Sequence, residues 1–141
     1  MTVETKILEF STSGNGEIVD ITGDVAGAIN ESAVQNGVVT IFSPSATSAL
    51  TTIEYESGCV KDLQRLFNEI ADPQRHYAHN ARWGDGNGHS HVQAALLGPS
   101  LSLPVREGAL KVGTWQQAVA VNHDNRPRPR SIEVTIIGRR G

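Results

Sequence analysis

Residues 101–122 read LSLPVREGALKVGTWQQAVAVN, and the fold turns on how they are divided. Leu101, Leu103 and Val105 alternate with Ser102 and Pro104, which is the two-residue period of a half-buried strand. Glu107-Gly108 then punctuates the chain, Ala109 to Val112 starts again, and Gly113 leads into a further run from Thr114 to Asn122. Gaps this short join antiparallel neighbours, because parallel strands need a crossover of about a dozen residues or more. Downstream, Ile132, Val134 and Ile136 alternate in a last strand.

Upstream, residues 3–12 and 17–21 read as a pair of strands around Ser13-Gly14-Asn15-Gly16, a segment suited to a tight hairpin. Val25, Ala28, Ile29 and Ala33 recur at helical spacing, with Thr22 as the expected N-cap and Gly37 as the stop. Val38 to Phe42 and Ala49 to Tyr55 are strand-like runs. Val60, Leu63, Leu66, Phe67 and Ile70 mark the longest helix, which ends before Asp72-Pro73. A short helix follows Ser90 or a neighbouring cap and is stopped by Gly98-Pro99. Strands outnumber helices, so the expectation is one α+β domain over 1–141: mainly antiparallel sheet, sandwich-like, with two longer helices and one short one.

The composition narrows the function. A net charge of −3 and 5% aromatic residues give neither the basic footprint nor the stacking platform of a nucleic-acid binder. No run approaches the roughly 20 apolar residues of a membrane span. The start, Met1 to Thr5, lacks the pattern of a signal peptide, and one cysteine, Cys59, leaves no internal disulfide. A cytoplasmic location is expected. The one concentrated basic run, Asn125-Arg126-Pro127-Arg128-Pro129-Arg130, reads first as a solvated turn or a subunit contact.

Chemistry concentrates at His79, His89 and His91, the last two closing the loop Gly84-Asp85-Gly86-Asn87-Gly88. Three imidazoles with an open position suit zinc or a similar ion, though the spacing matches no standard zinc signature, and a capping or surface role competes evenly. The loop running into a helix start is a possible anion seat through Gly86 and Gly88, with Arg82 as a nearby cation; a purely structural turn is the stronger reading of the loop by itself. Trp115, Gln116 and Gln117 open a strand and could face a ligand, but a core tryptophan and sheet-bonded amides rank ahead. Glu54 and Glu56 share a strand face and could offer a carboxylate ligand or base, while most strand glutamates face solvent.

Taken together, Thr51 to Glu56, Tyr77-Ala78-His79-Asn80, Gly86 to His91, Leu96 to Ser100, Gly113-Thr114-Trp115-Gln116-Gln117 and Asp124 to Arg128 make the chain similar to the YjbQ family, also called secondary thiamine-phosphate synthases. The resemblance spans nearly the whole chain. It implies a small α+β fold, a homotrimer with pockets near subunit boundaries, and a metal or anion site at His79 and His91. The implied reaction joins a pyrimidine-methyl diphosphate to a thiazole phosphate with loss of pyrophosphate. The expected site is then His79, His91 and Glu54 for catalysis, with His79, His89 and His91 around a divalent ion such as zinc or magnesium. Arg82, Gly86, Gly88, Trp115, Gln116 and Gln117 are expected to meet a small phosphorylated substrate. A departure stands at Pro44-Ser45-Ala46-Thr47, where many relatives carry a histidine, so the site is expected either to be short by one imidazole or to use His89 or Glu54 instead. The rival expectations are another metal-dependent enzyme, such as a phosphate-ester hydrolase, and a non-catalytic trimeric binding module.

Overall fold

The computed structural model describes residues 1–141 as two antiparallel sheets and four helices. In chain order the elements are β1 (Thr2–Thr12), β2 (Glu17–Asp20), α1 (Thr22–Ser32), β3 (Asn36–Phe42), β4 (Ser48–Ile53), α2 (Ser57–Ile70), α3 (Ala78–Trp83), α4 (Gly88–Leu97), β5 (Ser100–Arg106), β6 (Ala109–Leu110), β7 (Gln117–Asn122) and β8 (Arg128–Arg139). The five-stranded sheet runs β1-β8-β3-β5-β6 and the three-stranded sheet β2-β7-β4. The α+β class and the antiparallel sheets expected from the sequence are both present.

Strand β7 shows why the sheets stack. Its residues Ala118 and Ala120 face the larger sheet, packing with Leu50, Val39, Ile41, Ile132, Val134 and Ile136. Val119 and Val121 point the other way and meet Ile18 and Phe67, with Val60, Leu63 and Leu97 from α2 and α4 against them. Small side chains let the sheets approach, while bulkier ones fill the gap to the helices. Helix α1 closes the main core with Val25, Ala28 and Ile29.

Several local expectations change. Residues 3–12 and 17–20 are strands but not a hairpin: β1 pairs β8 in one sheet and β2 pairs β7 in the other. Gly14, at φ +89, takes the chain across, where a Cβ would come within 2.5 Å of the Arg126 carbonyl oxygen. Thr22 does not cap α1. Its hydroxyl accepts instead from the Ala118 amide at 2.8 Å, and Ala33, at φ +59, ends the helix before Gly37. Gly37 lies within β3 because Ile137 of β8 passes so close that any Cβ would overlap its carbonyl. Thr114 to Gln116 form no strand, so Gln116 stands in a turn and β7 begins at Gln117. The six-residue helix α3 has no counterpart in the sequence reading, because so short an element shows no apolar period.

Candidate functional site

The site is built where α3, the start of α4 and the segments after β3 and β7 converge. Gly84, at φ +65, ends α3 and turns the chain back, so that Asn80 Oδ1 accepts from the Gly88 amide at 2.8 Å. That bond and the contact of Gly88 with Tyr77, where a Cβ would sit 2.6 Å from the Tyr77 Cβ, lock α3 against α4. The result is a pair. The rings of His79 and His91 stand 4.4 Å apart, centroid to centroid, at 37°. His79 Nδ1 lies 3.4 Å from Asp85 Oδ1, close enough for an ion pair but without hydrogen-bond geometry.

His89 goes elsewhere. It is buried, with Nε2 3.3 Å from the Ser90 hydroxyl, and burial pulls its pKa below the ordinary value despite the opposing carbonyl of Gly86. No group of three or more His, Cys, Asp or Glu side chains converges to hold a metal ion. The expected triad of His79, His89 and His91 is therefore not assembled within one chain, since side chains two apart on a helix diverge. Glu54 is exposed beyond the end of β4, and Glu56 caps α2, accepting from Gly58 and Cys59 amides at 2.6 and 3.0 Å. Those two bonds hold the Glu56 carboxyl below its usual pKa.

Two amides of the glycine loop, expected as an anion seat, are spent within the chain. The Gly88 amide is taken by Asn80, the Asn87 amide by Asp85 Oδ1, and Asn125 Nδ2 bonds the Asp85 carbonyl oxygen. Arg82 lies over the Trp83 ring at 5.5 Å. Trp115 is 73% exposed, against the expectation of a core residue. Gln116 bonds Thr52 Oγ1 and the Gly113 amide, and Gln117 accepts from the Tyr55 amide. These belong to the end of β7 paired with Ile53, whereas the histidine pair lies toward the end paired with Ser48. Six strand residues separate the two ends by roughly 17 Å, so a single chain does not unite them.

A cavity of about 490 Å³ opens beside His91, lined by Ser45, Thr47, Asn87, Asp124, Arg128 and Arg130 among others. Arg130 is 9% exposed, on the core-facing side of β8. Its Nη1 donates to Ser45 Oγ at 2.6 Å, and its Nη2 donates to Thr47 Oγ1 at 2.9 Å and to Asn122 Oδ1. Burial lowers its pKa from the usual value, with Asp124 opposing that shift. Asp124 is buried too. Burial alone would raise its pKa, but bonds from Thr47, Asn87 and Arg128 outweigh it, and the carboxyl ends below its ordinary value as an anion. Arg128 spends only Nε on Asp124, at 3.0 Å, and keeps a half-buried guanidinium edge at the cavity.

Beneath the cavity lies a polar layer. The Ser90 hydroxyl is 2.5 Å from Asn87 Oδ1 and 2.6 Å from the His123 carbonyl oxygen, so its single proton serves one of two acceptors. His123 Nδ1 donates to Gln93 Oε1 at 2.9 Å, and its ring meets Phe67 edge-on. Burial, with smaller contributions from Arg130 and His89, lowers its pKa to about 4, so the ring is neutral. Gln93 Nε2 in turn lies 3.2 and 3.1 Å from the Phe67 and Ala71 carbonyl oxygens, tying α2 to α4.

Ser45, Thr47, Asn87, Asp124, Arg128 and Arg130 line the cavity without forming a recognisable catalytic motif in the sequence. One signal was present: the lone basic run on an acidic chain sits beside His123-Asp124.

The description "UPF0047 protein YjbQ-like" belongs to the family model that matches residues 6–139. The chain belongs to this YjbQ-like family. A UPF0047 protein of Methanothermobacter thermautotrophicus is 37% identical over 99% of this chain and 95% of its own. The Bacillus subtilis UPF0047 protein YugU is 31% identical over 94% of this chain and 98% of its own. Among solved structures, a YbjQ-like protein of unknown function from Sulfolobus solfataricus superimposes with a TM-score of 0.88 at 34% identity, covering 97% of this chain and 99% of that one. YjbQ-like membership agrees with the α+β architecture. No helix is long and apolar enough to cross a membrane.

Proposed function

We propose that the cavity beside His91 binds a small phosphorylated molecule and that the protein carries out a thiamine-phosphate synthase type of transfer. The observation that carries the reading is the pairing of Arg128 and Arg130 with the hydroxyls of Ser45 and Thr47 and the imidazole of His91 around one 490 Å³ space. Asp124 does not cancel this. Its Oδ2 takes Thr47 and the Arg128 Nε while Oδ1 has no partner, Asp85 at the rim is half exposed, and the free Nη edge of Arg128 remains the cation open to a ligand.

In the transfer, the bond between a methylene carbon and a diphosphate oxygen breaks, and its electron pair leaves with pyrophosphate. The lone pair of a thiazole nitrogen forms the new carbon–nitrogen bond, and no net proton moves. The barrier therefore lies in the charge gathering on the departing oxygen, which preorganised donors stabilise. The free edge of Arg128 and the ring of His91 face that position, while Asp124 fixes the guanidinium. His79 stacks beside His91 and orients it. With His79, His89 and His91 not converging, the residues present do not fit a resident metal in one chain, and the charge stabilisation rests on the arginines.

Association of chains, as a homotrimer, belongs to the same proposal. Its support is the outer face of the larger sheet, where Val3, Ile7, Val38, Phe42 and Ile137 are each 40% exposed or more. Register puts Val3, Ile137 and Val38 in one row. A contiguous apolar face of this kind marks an interaction surface. Sedimentation is expected to give three times the chain mass and Phe42→Lys a smaller species; a monomeric unsubstituted protein defeats this part.

Pyrophosphate release and thiamine phosphate formation from the two substrates test the chemistry. Losing a charge-assisted contact costs roughly 1.5–3 kcal/mol, so Arg128→Gln and His91→Ala should each slow turnover by about 10- to 100-fold. Equal product from the variants and the unsubstituted protein removes the site, and no product from any of them leaves a binding module instead.

A further inference from the structure

The first cavity does not end at His91. A second space of about 250 Å³ continues from it, and the two share Ser45, Ala46 and His91. Their chemistry differs sharply. The larger lobe carries Asp124, Arg128 and Arg130, and the smaller is walled by Ala46, Ala94, Ala95 and Pro99 with no carboxylate, lysine or arginine. Ala94 and Ala95 come from α4 immediately beyond His91, and Pro99 from the turn that enters β5. Three alanines and a proline are what make the smaller lobe roomy, since any larger side chain on that helix face would fill it.

We infer that the two lobes form one bipartite site for a phosphate ester of a compact, uncharged ring, with the phosphate among the arginines, the ring against Ala46, Ala94, Ala95 and Pro99, and His91 at the ester linkage. This rests on the reading of the polar lobe given above and adds where the organic half of the ligand lies. It also replaces the sequence-based expectation that Trp115, Gln116 and Gln117 face the heterocycle, since those residues stand at the far end of β7. The size agrees. A space of 250 Å³ exceeds what one six-membered ring needs, since a dry cavity of about 150 Å³ already holds benzene. The position of His91, bordering both lobes, also places its ring against the bond that joins the two halves of such a ligand.

The inference is tested by calorimetric titration of the full chain with inorganic pyrophosphate, methyl phosphate and benzyl phosphate. Burying about half a ring is worth a factor on the order of ten in affinity, so benzyl phosphate is expected to bind about tenfold more tightly than methyl phosphate. Ala95 is exposed on α4, where leucine suits a helix, and Ala95→Leu should erase that advantage. Pyrophosphate, which has no ring, should bind Ala95→Leu as it binds the unsubstituted chain. Equal affinities for benzyl and methyl phosphate in the unsubstituted chain would overturn the inference. So would an advantage that survives Ala95→Leu, or one that disappears with Trp115→Ala. If pyrophosphate binds while the ring adds nothing, only the bipartite site falls; if pyrophosphate fails to bind at all, the polar lobe falls with it.

Discussion

Acidification from pH 7 to pH 4 should unfold this protein through one imidazole more than any other. His123 has a folded-state pKa of about 4 against an ordinary 6.5, chiefly because burial penalises its charged form. As pH falls through 6.5 the unfolded chain takes up a proton that the folded chain refuses, so stability drops until the folded pKa is reached and is level above and below that window. The difference of 2.5 units between 6.5 and about 4, at ~1.36 kcal/mol per unit, amounts to about 3 kcal/mol, a large share of a typical domain's stability. His89, lowered by burial, and Asp124, held below its usual value, lose stability in the same direction, so a matched variant is needed. His123→Asn keeps a donor for Gln93 Oε1 and has no titrating ring. It should be weaker at pH 7, yet lose about 3 kcal/mol less than the unsubstituted chain between pH 7 and pH 4. Urea midpoints at fixed protein concentration measure both slopes. Parallel curves would show that His123 is not the group responsible and would refute the buried, neutral ring.

Gly88→Ala should destabilise the fold by roughly 1–3 kcal/mol, because the new methyl would meet the Tyr77 Cβ at 2.6 Å. It should also weaken pyrophosphate binding by moving His91 from His79; a variant with unchanged melting and binding would contradict the locked contact of α3 and α4. Glu56→Ala should lower the melting temperature through loss of the α2 cap while leaving pyrophosphate affinity unchanged, since the cap is no part of the cavity lining. The Glu56 contribution is present above the ordinary carboxyl pKa and lost as pH falls, so the difference between the two proteins should narrow in acid.

The elements with a clear period were legible before the structure was known. Val60 to Ile70 placed α2 and its end, though the helix begins at Ser57, and Ile132, Val134 and Ile136 placed the core face of β8. The pairing of strands was less so. Ser13 to Gly16 has the composition of a hairpin, yet β1 finds β8 more than a hundred residues away, because its Leu8 and Phe10 pack against the core that Ile132 and Val134 help to form. In the site, His79 and His91 could be proposed together from the loop between them. Arg130 could not. Its neighbours Arg126 and Arg128 and two prolines suggest a solvated run, and only the distant segment Ser45 to Thr47, with Asn122, supplies the oxygens that let a guanidinium be buried. The triad of His79, His89 and His91 failed for the opposite reason: the turn at Gly84 brought the rings of His79 on α3 and His91 on α4 together, and the two-residue step from His91 turned His89 inward beside Ser90.

The place of β8 in the larger sheet has a consequence for how the chain is made. This strand lies between β1 and β3, so the earliest and the last elements flank each other, with Thr2 opposite Gly138. A nascent chain lacking residues 128–139 therefore holds β1 and β3 with no common neighbour, and the main core waits on a segment translated after β1 to β7 and all four helices. Cooperative collapse should await emergence of β8 from the ribosome, and a permutant joining residue 139 to residue 2 through a short linker should keep the architecture while shifting when that collapse begins.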